Sequence, residues 1–242
     1  MNKLILNFKS KEIKNIKTSK NYLGGKGANL SQMGKMGLPV PPGFTISTKV
    51  CEIFYKDRKK LSSKIIKIIK KELEKIEMET KKKFGDLKNP LLVSVRSGAR
   101  VSMPGMMDTI LNLGLNDKTV LALAKKTSNN RFAKDSYRRF IQMYSNVVLG
   151  IENYYFEDLI ENYKLTKGVL LDTELDAEDW DGLIKDFKSI VKEKTKKDFP
   201  QDVYHQLIGA ISAVFLSWQS NRAKVYRKIN GIPSEWGTAV NV

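Results

Sequence analysis

The spacing of apolar residues changes twice along this chain, and that change limits the fold more than any other feature of the sequence. The first part carries short, strand-like apolar segments between glycine and proline turns. These segments are residues 4–8, 44–48 and 91–95. From residue 119 to 228 the apolar residues recur at helical spacing, and residues 232–242 return to a strand-like pattern. We therefore expect a mixed fold, α+β or α/β.

The same change of pattern predicts the domain limits. Residues 1–113 and 201–242 are expected to form one lobe, and residues 114–200 a mainly helical subdomain inserted into it. Residues 232–242 begin a strand, and no turn, cap or polar tail follows them. A final strand without a partner would indicate a truncated chain or a split gene.

The positive charge of the chain invites a nucleic-acid interpretation. Lysine and arginine number 43 against 26 acidic residues, a net charge of +17, and phosphate neutralisation drives non-specific binding of nucleic acids. Most of the cations, however, are lysines spread along amphipathic helices, without the interleaved aromatic residues that stack on bases. The helix predicted at residues 59–84 also carries interleaved glutamates, which argues against a membrane-surface helix. We expect neither nucleic acid nor membrane as a partner.

Cysteine and histidine are too few for a disulfide or a zinc site. Cys51 is the single cysteine and His205 the single histidine, and His205 lies in an ordinary helical segment. No segment reaches the ~18 apolar residues of a membrane span, and residues 1–8 lack the apolar length expected of a signal peptide. These features favour a cytoplasmic protein with no metal site among its own residues.

A glycine-rich turn before a predicted helix is the first candidate site. Gly24, Gly25 and Gly27 surround Lys26, and the helix is predicted at residues 28–36. Such a turn lets the backbone approach an anion, which the helix start and the lysine would attract. The spacing is not that of a P-loop, and glycine turns are common before helices, so a phosphate site and an ordinary turn both fit.

The second candidate site follows the apolar strand at residues 91–95, which is expected to deliver Arg96, Ser97 and Gly98 at its end. A guanidinium leaving a buried strand needs an anionic partner, either a phosphate or an internal acid such as Asp108. Arg100 fits either role and is interpreted mainly as structural. Three methionines follow, and they either fill the core or form an adenine-binding face. They are Met103, Met106 and Met107.

Taken together, these segments resemble the nucleotide-binding domain of the pyruvate phosphate dikinase family. The resemblance rests on residues 24–30, 37–44, 94–100 and 102–114, and extends through 131–133, 135–144 and 235–242. The related phosphoenolpyruvate synthases share the Gly-Gly-Lys and Val-Arg-Ser elements but have an acidic stretch after the serine. Here residues 98–105 read Gly-Ala-Arg-Val-Ser-Met-Pro-Gly instead, which favours the dikinase.

The resemblance implies the N-terminal lobe of an ATP-grasp domain with an inserted helical subdomain. It implies a phosphotransferase that converts ATP, phosphate and pyruvate to AMP, diphosphate and phosphoenolpyruvate. By resemblance Lys26 and Arg96 contact the ATP phosphates as catalytic residues, and Gly105 and Thr109 lie in a loop that closes over them. The nucleotide would also be bound by Gly24, Gly25, Gly27 and Ser97.

The resemblance also implies what these residues lack. The family's Mg²⁺ ligands and its carrier histidine are expected beyond residue 242, and pyruvate would bind to domains that are missing here. The chain alone is therefore expected to be inactive, and the full-length enzyme to be a homodimer. A half-grasp binding or regulatory module, acting with a separately encoded remainder, is the alternative.

Overall fold

The computed structural model describes residues 4–10 and 16–242. The chain divides into two compact units, which are described in turn. The first unit comprises residues 1–81, 94–109 and 208–242, and the second comprises residues 82–93 and 110–207. The strands, in chain order, are β1 (Ile5–Asn7), β2 (Phe44–Ile46), β3 (Lys83–Phe84), β4 (Pro90–Leu91), β5 (Val93–Gly98), β6 (Thr109–Leu113) and β7 (Ala239–Asn241).

A small sheet in which β1, β2, β7 and β5 are neighbours in that order organises the first unit. The pairings of β1 with β2, β2 with β7 and β7 with β5 are antiparallel, and Asn241 lies opposite both Thr45 and Arg96. All residues of β2 and β7 are buried. The expected mixture of helices and strands is confirmed, with an antiparallel sheet.

The helices, in chain order, are α1 (Ile16–Lys35), α2 (Thr48–Lys56), α3 (Ser63–Thr80), α4 (Thr119–Thr127), α5 (Asn130–Val147), α6 (Tyr154–Lys167), α7 (Ala177–Thr195), α8 (Val203–Ser217) and α9 (Asn221–Ile229). None of the helices in the described part of the chain is long and apolar enough to cross a membrane.

Helix α1 corrects the predicted order of strand, glycine loop and helix. The helical segment begins at Ile16, before the glycines, and is interrupted at Gly24, where φ is 67° and ψ is 174°. One residue therefore breaks the helical path, and no extended loop forms. Three closely spaced glycines allow a loop or a kink, and the sequence alone does not distinguish between them.

Two helix predictions in the first unit were also inaccurate. Helix α2 was missed because only one residue separates its start at Thr48 from the end of β2, and the strand prediction included Thr48. Helix α3 is shorter than the predicted 59–84. It begins where the Ser62 hydroxyl accepts a hydrogen bond from the Ile65 amide, and it ends before Lys81, whose φ is 54°.

The end of the chain differs from its prediction as well. Strand β7 was expected to lack a partner, but it pairs with both β2 and β5. The Phe44 amide also donates to the Val242 carbonyl at 3.0 Å, and the Val242 amide to the Phe44 carbonyl at 2.9 Å. The predicted strand at 91–95 begins at Val93 instead, so that Arg96 lies within β5 and not after it.

The second unit is helical between residues 119 and 194, as the periodicity predicts, and its described residues there form no strand. Its core is aromatic. The centre of the Phe199 ring lies 5.7 Å from that of Phe140 and 5.6 Å from that of Tyr144, and both of these residues are on α5. The single helix predicted at 202–228 is two helices, because α8 ends at Ser217 and the Ser220 hydroxyl caps α9.

Candidate functional site

A cleft of about 670 Å³ in the first unit lies between α1, the end of β5 and the loop of residues 99–108. The charged side chains among the described residues that line it are Lys20, Lys26 and Arg100, all of them cations. Several of the residues predicted from the sequence also line it, namely Gly25, Lys26, Ser97, Gly105 and Thr109. The lining therefore suits an anionic ligand.

Close backbone packing between α1 and β5 forms one wall of this cleft. A Cβ added to Gly24 would lie 1.6 Å from the Gly98 carbonyl oxygen, so only glycine permits the approach. The Gly25 amide donates to the Ala99 carbonyl at 2.8 Å. These contacts fix the start of the loop against the kink of α1.

Gly27 faces the sheet and does not line the cleft. An added Cβ there would lie 2.6 Å from the Thr45 hydroxyl and 3.0 Å from Oδ1 of Asn241. The Thr45 hydroxyl itself donates to the Asn241 Oδ1 at 2.8 Å. In this structure Gly24 and Gly27 let α1 pack closely on β5, β2 and β7, whereas Gly25 is the member of the three that lines the cleft.

The two predicted phosphate contacts differ in position. Lys26 lines the cleft, whereas Arg96 is exposed on β5 and its Nε donates to the Ser94 hydroxyl at 3.2 Å. Partial burial of the Lys26 ammonium, and then the positive charge of Arg96, lower the pKa of Lys26 below its ordinary value. Arg96 is therefore close enough to act on Lys26 electrostatically.

Asp108 is not the partner of Arg96 that the sequence offered as an alternative. Its carboxylate is paired with Arg222 at the start of α9. The Arg222 Nε also donates to the Met106 carbonyl at 3.3 Å. Arg222 thus holds the far end of the loop of residues 99–108.

Core filling accounts for the methionines of this loop. Met103 is only 6% exposed and packs with Trp218 and Ala223, and Met106 and Met107 pack against the same cluster. Gly105 lies between them with a φ of 72° and no described atom within 4 Å of an added Cβ. The apolar side chains anchor the loop, while its glycine tip stays open.

Arg100 has a different setting from the one that the sequence indicated. It lines the cleft, and its guanidinium carbon lies 5.0 Å from the centre of the Trp236 ring. Burial lowers its pKa, and the charge of Glu235 opposes that shift. Lys20, Asn29 and Met33 also line the cleft and were not predicted. Lys20 was missed because the helix was expected to begin at residue 28, whereas α1 begins at Ile16. Asn29 and Met33 lie in the predicted helix, but its sequence does not indicate which face borders a cleft.

The residues of the cleft do not fit a Mg²⁺ site. Carboxylates are the usual protein ligands of this ion, and none of the described lining residues is acidic. The described part of the chain also holds no group of three or more His, Cys, Asp or Glu side chains that could bind a metal.

The glycine kink and the cationic cleft belong to a mixed α/β domain, and the charge of the cleft suits an anionic ligand. Residues 20–81 and 59–242 match the family model described as "Pyruvate phosphate dikinase, AMP/ATP-binding domain". Because these residues cover nearly the whole chain, the chain belongs to this family.

Curated relatives agree with the family model. The chain is 54% identical over 224 residues to the pyruvate, phosphate dikinase of Clostridium symbiosum, covering 92% of this chain and 26% of that protein. It is 47% identical over 242 residues to the protein of the same name from Rhizobium meliloti strain 1021, covering 100% of this chain and 27% of that protein. The chain thus spans about a quarter of the length of these relatives.

Proposed function

We propose that this chain binds ATP in the cationic cleft and serves as the nucleotide-binding part of a pyruvate phosphate dikinase. That enzyme would convert ATP, phosphate and pyruvate to AMP, diphosphate and phosphoenolpyruvate through a phosphohistidine carrier. The observation that carries the proposal is the cleft itself, whose charged lining residues are all cations and which lies against the glycine kink of α1. The description of the matched family as an AMP/ATP-binding domain supports it.

Lys26 and Arg96 are proposed to contact the ATP phosphates. Phosphoryl transfer depends mainly on positioning and on offsetting charge at the phosphate oxygens, which two adjacent cations can do. The effect of the Arg96 charge on the pKa of Lys26 supports a shared role. The nucleotide site is proposed to be completed by four residues that line the cleft, Gly25, Ser97, Gly105 and Thr109. Gly24 and Gly27 are proposed to support this site by packing α1 against the sheet.

The finer architecture is part of the same proposal. We infer that the first unit is a lobe of an ATP-grasp domain and that the helices of the second unit form its inserted subdomain. Since the described lining of the cleft lacks carboxylates, Mg²⁺ would be held by residues other than those that line it. Mg²⁺ would supply further neutralisation of the phosphate charge when bound.

A direct binding measurement tests the proposal. Calorimetric titration of the chain with ATP should show one saturable site, and Lys26→Ala should weaken it. Lys228→Ala, an exposed α9 residue outside the cleft, removes the same charge and should bind ATP as the original chain does. Absence of ATP binding by a folded chain would count against the assignment of the cleft.

A second measurement addresses the whole reaction. The chain alone should form no phosphoenolpyruvate from ATP, phosphate and pyruvate, because its one histidine, His205, is an exposed residue of α8 outside the cleft. In the complete enzyme, Lys26→Ala should lower kcat by about 10² or more, the size seen for one preorganised electrostatic contact. Turnover by the isolated chain would disprove this part of the proposal.

A further inference from the structure

We propose that Arg100 is a further binding residue of the cleft, and that its guanidinium contacts a phosphate group of the bound nucleotide. The inference rests on the proposed function and deepens it by adding a residue to the same site. From the sequence, Arg96 was expected to make this contact and Arg100 to be mainly structural. Arg100 lines the cleft, whereas Arg96 does not.

The first argument is that Arg100 lacks the partners that a structural arginine has. Its Nε is buried without a hydrogen-bond acceptor, and within the described residues it forms no ion pair. A guanidinium has five donors, and leaving a charged donor buried and unmatched costs free energy. The terminal N–H groups of Arg100 also form no hydrogen bond within the described residues, and an anion in the cleft would supply their acceptors.

Other arginines of the chain show the contrast. Arg138 on α5 is paired with Asp135 at 2.6 Å and donates to Gln142 at 3.1 Å. Arg222 is paired with Asp108 and also binds a carbonyl. Arg227, which also lies over a tryptophan ring, donates to the Trp218 carbonyl. Arg138 and Arg227 share with Arg100 a buried Nε that has no acceptor, but each of the three has another protein acceptor, which Arg100 lacks.

The second argument is the way in which Arg100 is held. Its guanidinium lies over the Trp236 ring at 5.0 Å, and Trp236 itself packs against the cluster of Met103 and Trp218. Stacking on an anchored ring restricts the side chain while leaving the donors at the guanidinium edge available. Such an edge matches two phosphate oxygens at once.

The rival interpretation is that Arg100 serves as a structural counter-charge for Glu235. Glu235 does act on Arg100 electrostatically, but no ion pair between them forms in the described structure. Glu235 is also exposed, so it needs no partner to offset a cost of burial. Glu235 therefore does not account for the unmet hydrogen bonding of Arg100.

Titration of the 242-residue chain with ATP, adenosine and inorganic tripolyphosphate tests the inference. Arg100→Gln should weaken ATP and tripolyphosphate by about tenfold or more, the fold-change that corresponds to one charged hydrogen-bonded contact. Adenosine binding should not change. Arg100→Lys should restore only part of the loss, since a point charge replaces the two-pronged contact. Lys228→Ala controls for the lost charge, and melting curves establish that each variant is folded.

The outcomes separate the inference from the proposed function. Equal ATP affinity in Arg100→Gln and Lys228→Ala would overturn the inference while leaving the cleft as the ATP site. Equal losses for adenosine and ATP would also overturn it, because they would indicate a structural role. If the original chain binds tripolyphosphate through Arg100 but does not bind ATP, the phosphate contact stands and the proposed function fails.

Discussion

Gly24 of α1 lies directly against Gly98 of β5, and the backbone of Gly98 leaves no room for a side chain at Gly24. Gly24→Ala would place a Cβ 1.6 Å from the Gly98 carbonyl oxygen, at a φ of +67° that alanine also disfavours. We expect a loss of more than about 2 kcal/mol in the free energy of unfolding, since overpacking adds to the strain at φ 67° and ψ 174°, a region that essentially only glycine occupies. Denaturant unfolding measures it.

Gly37 is the matched control for this substitution. It has a φ of +75°, but no described atom lies within 4 Å of an added Cβ. Gly37→Ala should therefore cost only the conformational strain, about 1 kcal/mol. Equal losses for the two variants would mean that α1 does not approach β5 as closely as the structure describes.

The sequence predicted the fold best where a residue's role depends on its near neighbours. The helices of residues 119–194 follow from periodicity alone, because side chains three and four residues apart share one face. The two glycines that pack together, Gly24 and Gly98, were both noted in the sequence, but nothing local indicates that they touch. Their contact depends on how α1 crosses the sheet.

The candidate site shows the same limit. Lys26 could be predicted because its glycine neighbours indicate a close approach to an anion. Arg96 was ranked above Arg100 as the phosphate contact, but both follow the same apolar segment, and the sequence does not show which side chain turns toward the cleft. The partner of Asp108 is Arg222, which lies 114 positions further along the chain. Local patterns carry no information about such pairs.

The pKa of Lys26 should respond to Arg96 alone among the cations tested. Partial burial is the larger cause of the lowered pKa and the Arg96 charge the second, so Arg96→Gln should raise the pKa of Lys26 only part of the way to its ordinary value. A pH titration of the Lys26 Cε resonance by NMR measures this. Lys20→Gln, in the same cleft, is the control and should leave that pKa unchanged. A larger effect of Lys20 would contradict the described geometry.

Asp176 should make the stability of the chain depend on pH in acid. Its carboxylate caps α7, and its hydrogen bond with Lys167, followed by that with the Asp179 amide, lowers its pKa to about 2. A lowered pKa in the folded state means that the stabilisation is present above about pH 4, the ordinary carboxyl pKa, and is lost as pH falls toward 2.

Asp176→Asn keeps an oxygen for the cap and removes the charge, so it isolates this effect. The melting temperature of the variant should fall below that of the original chain at pH 6, and the difference should shrink between about pH 4 and about pH 2. Lys167→Ala should reduce the same pH dependence, because it removes the largest cause of the shift. A difference in melting temperature that stays constant with pH would show that the charge of Asp176 does not cause the pH dependence.

The pairing of Arg222 with Asp108 should govern the mobility of the loop of residues 99–108 more than the stability of the chain. The Arg222 side chain is 51% exposed, and exposed ion pairs contribute about 0–1 kcal/mol. Arg222→Ala should therefore change the free energy of unfolding by less than about 1 kcal/mol. It also removes the hydrogen bond to the Met106 carbonyl, so amide exchange at residues 104–108 should become faster.

The two charges can be exchanged to test whether the pairing itself holds the loop. Asp108→Arg alone should speed exchange by placing two cations side by side, and adding Arg222→Asp should slow it again by restoring an opposite pair. If the loop orders the nucleotide site, ATP affinity should fall and recover in the same order. Fast exchange in the double variant, equal to that in Asp108→Arg, would mean that the loop is held by the packing of Met103 and not by the ion pair.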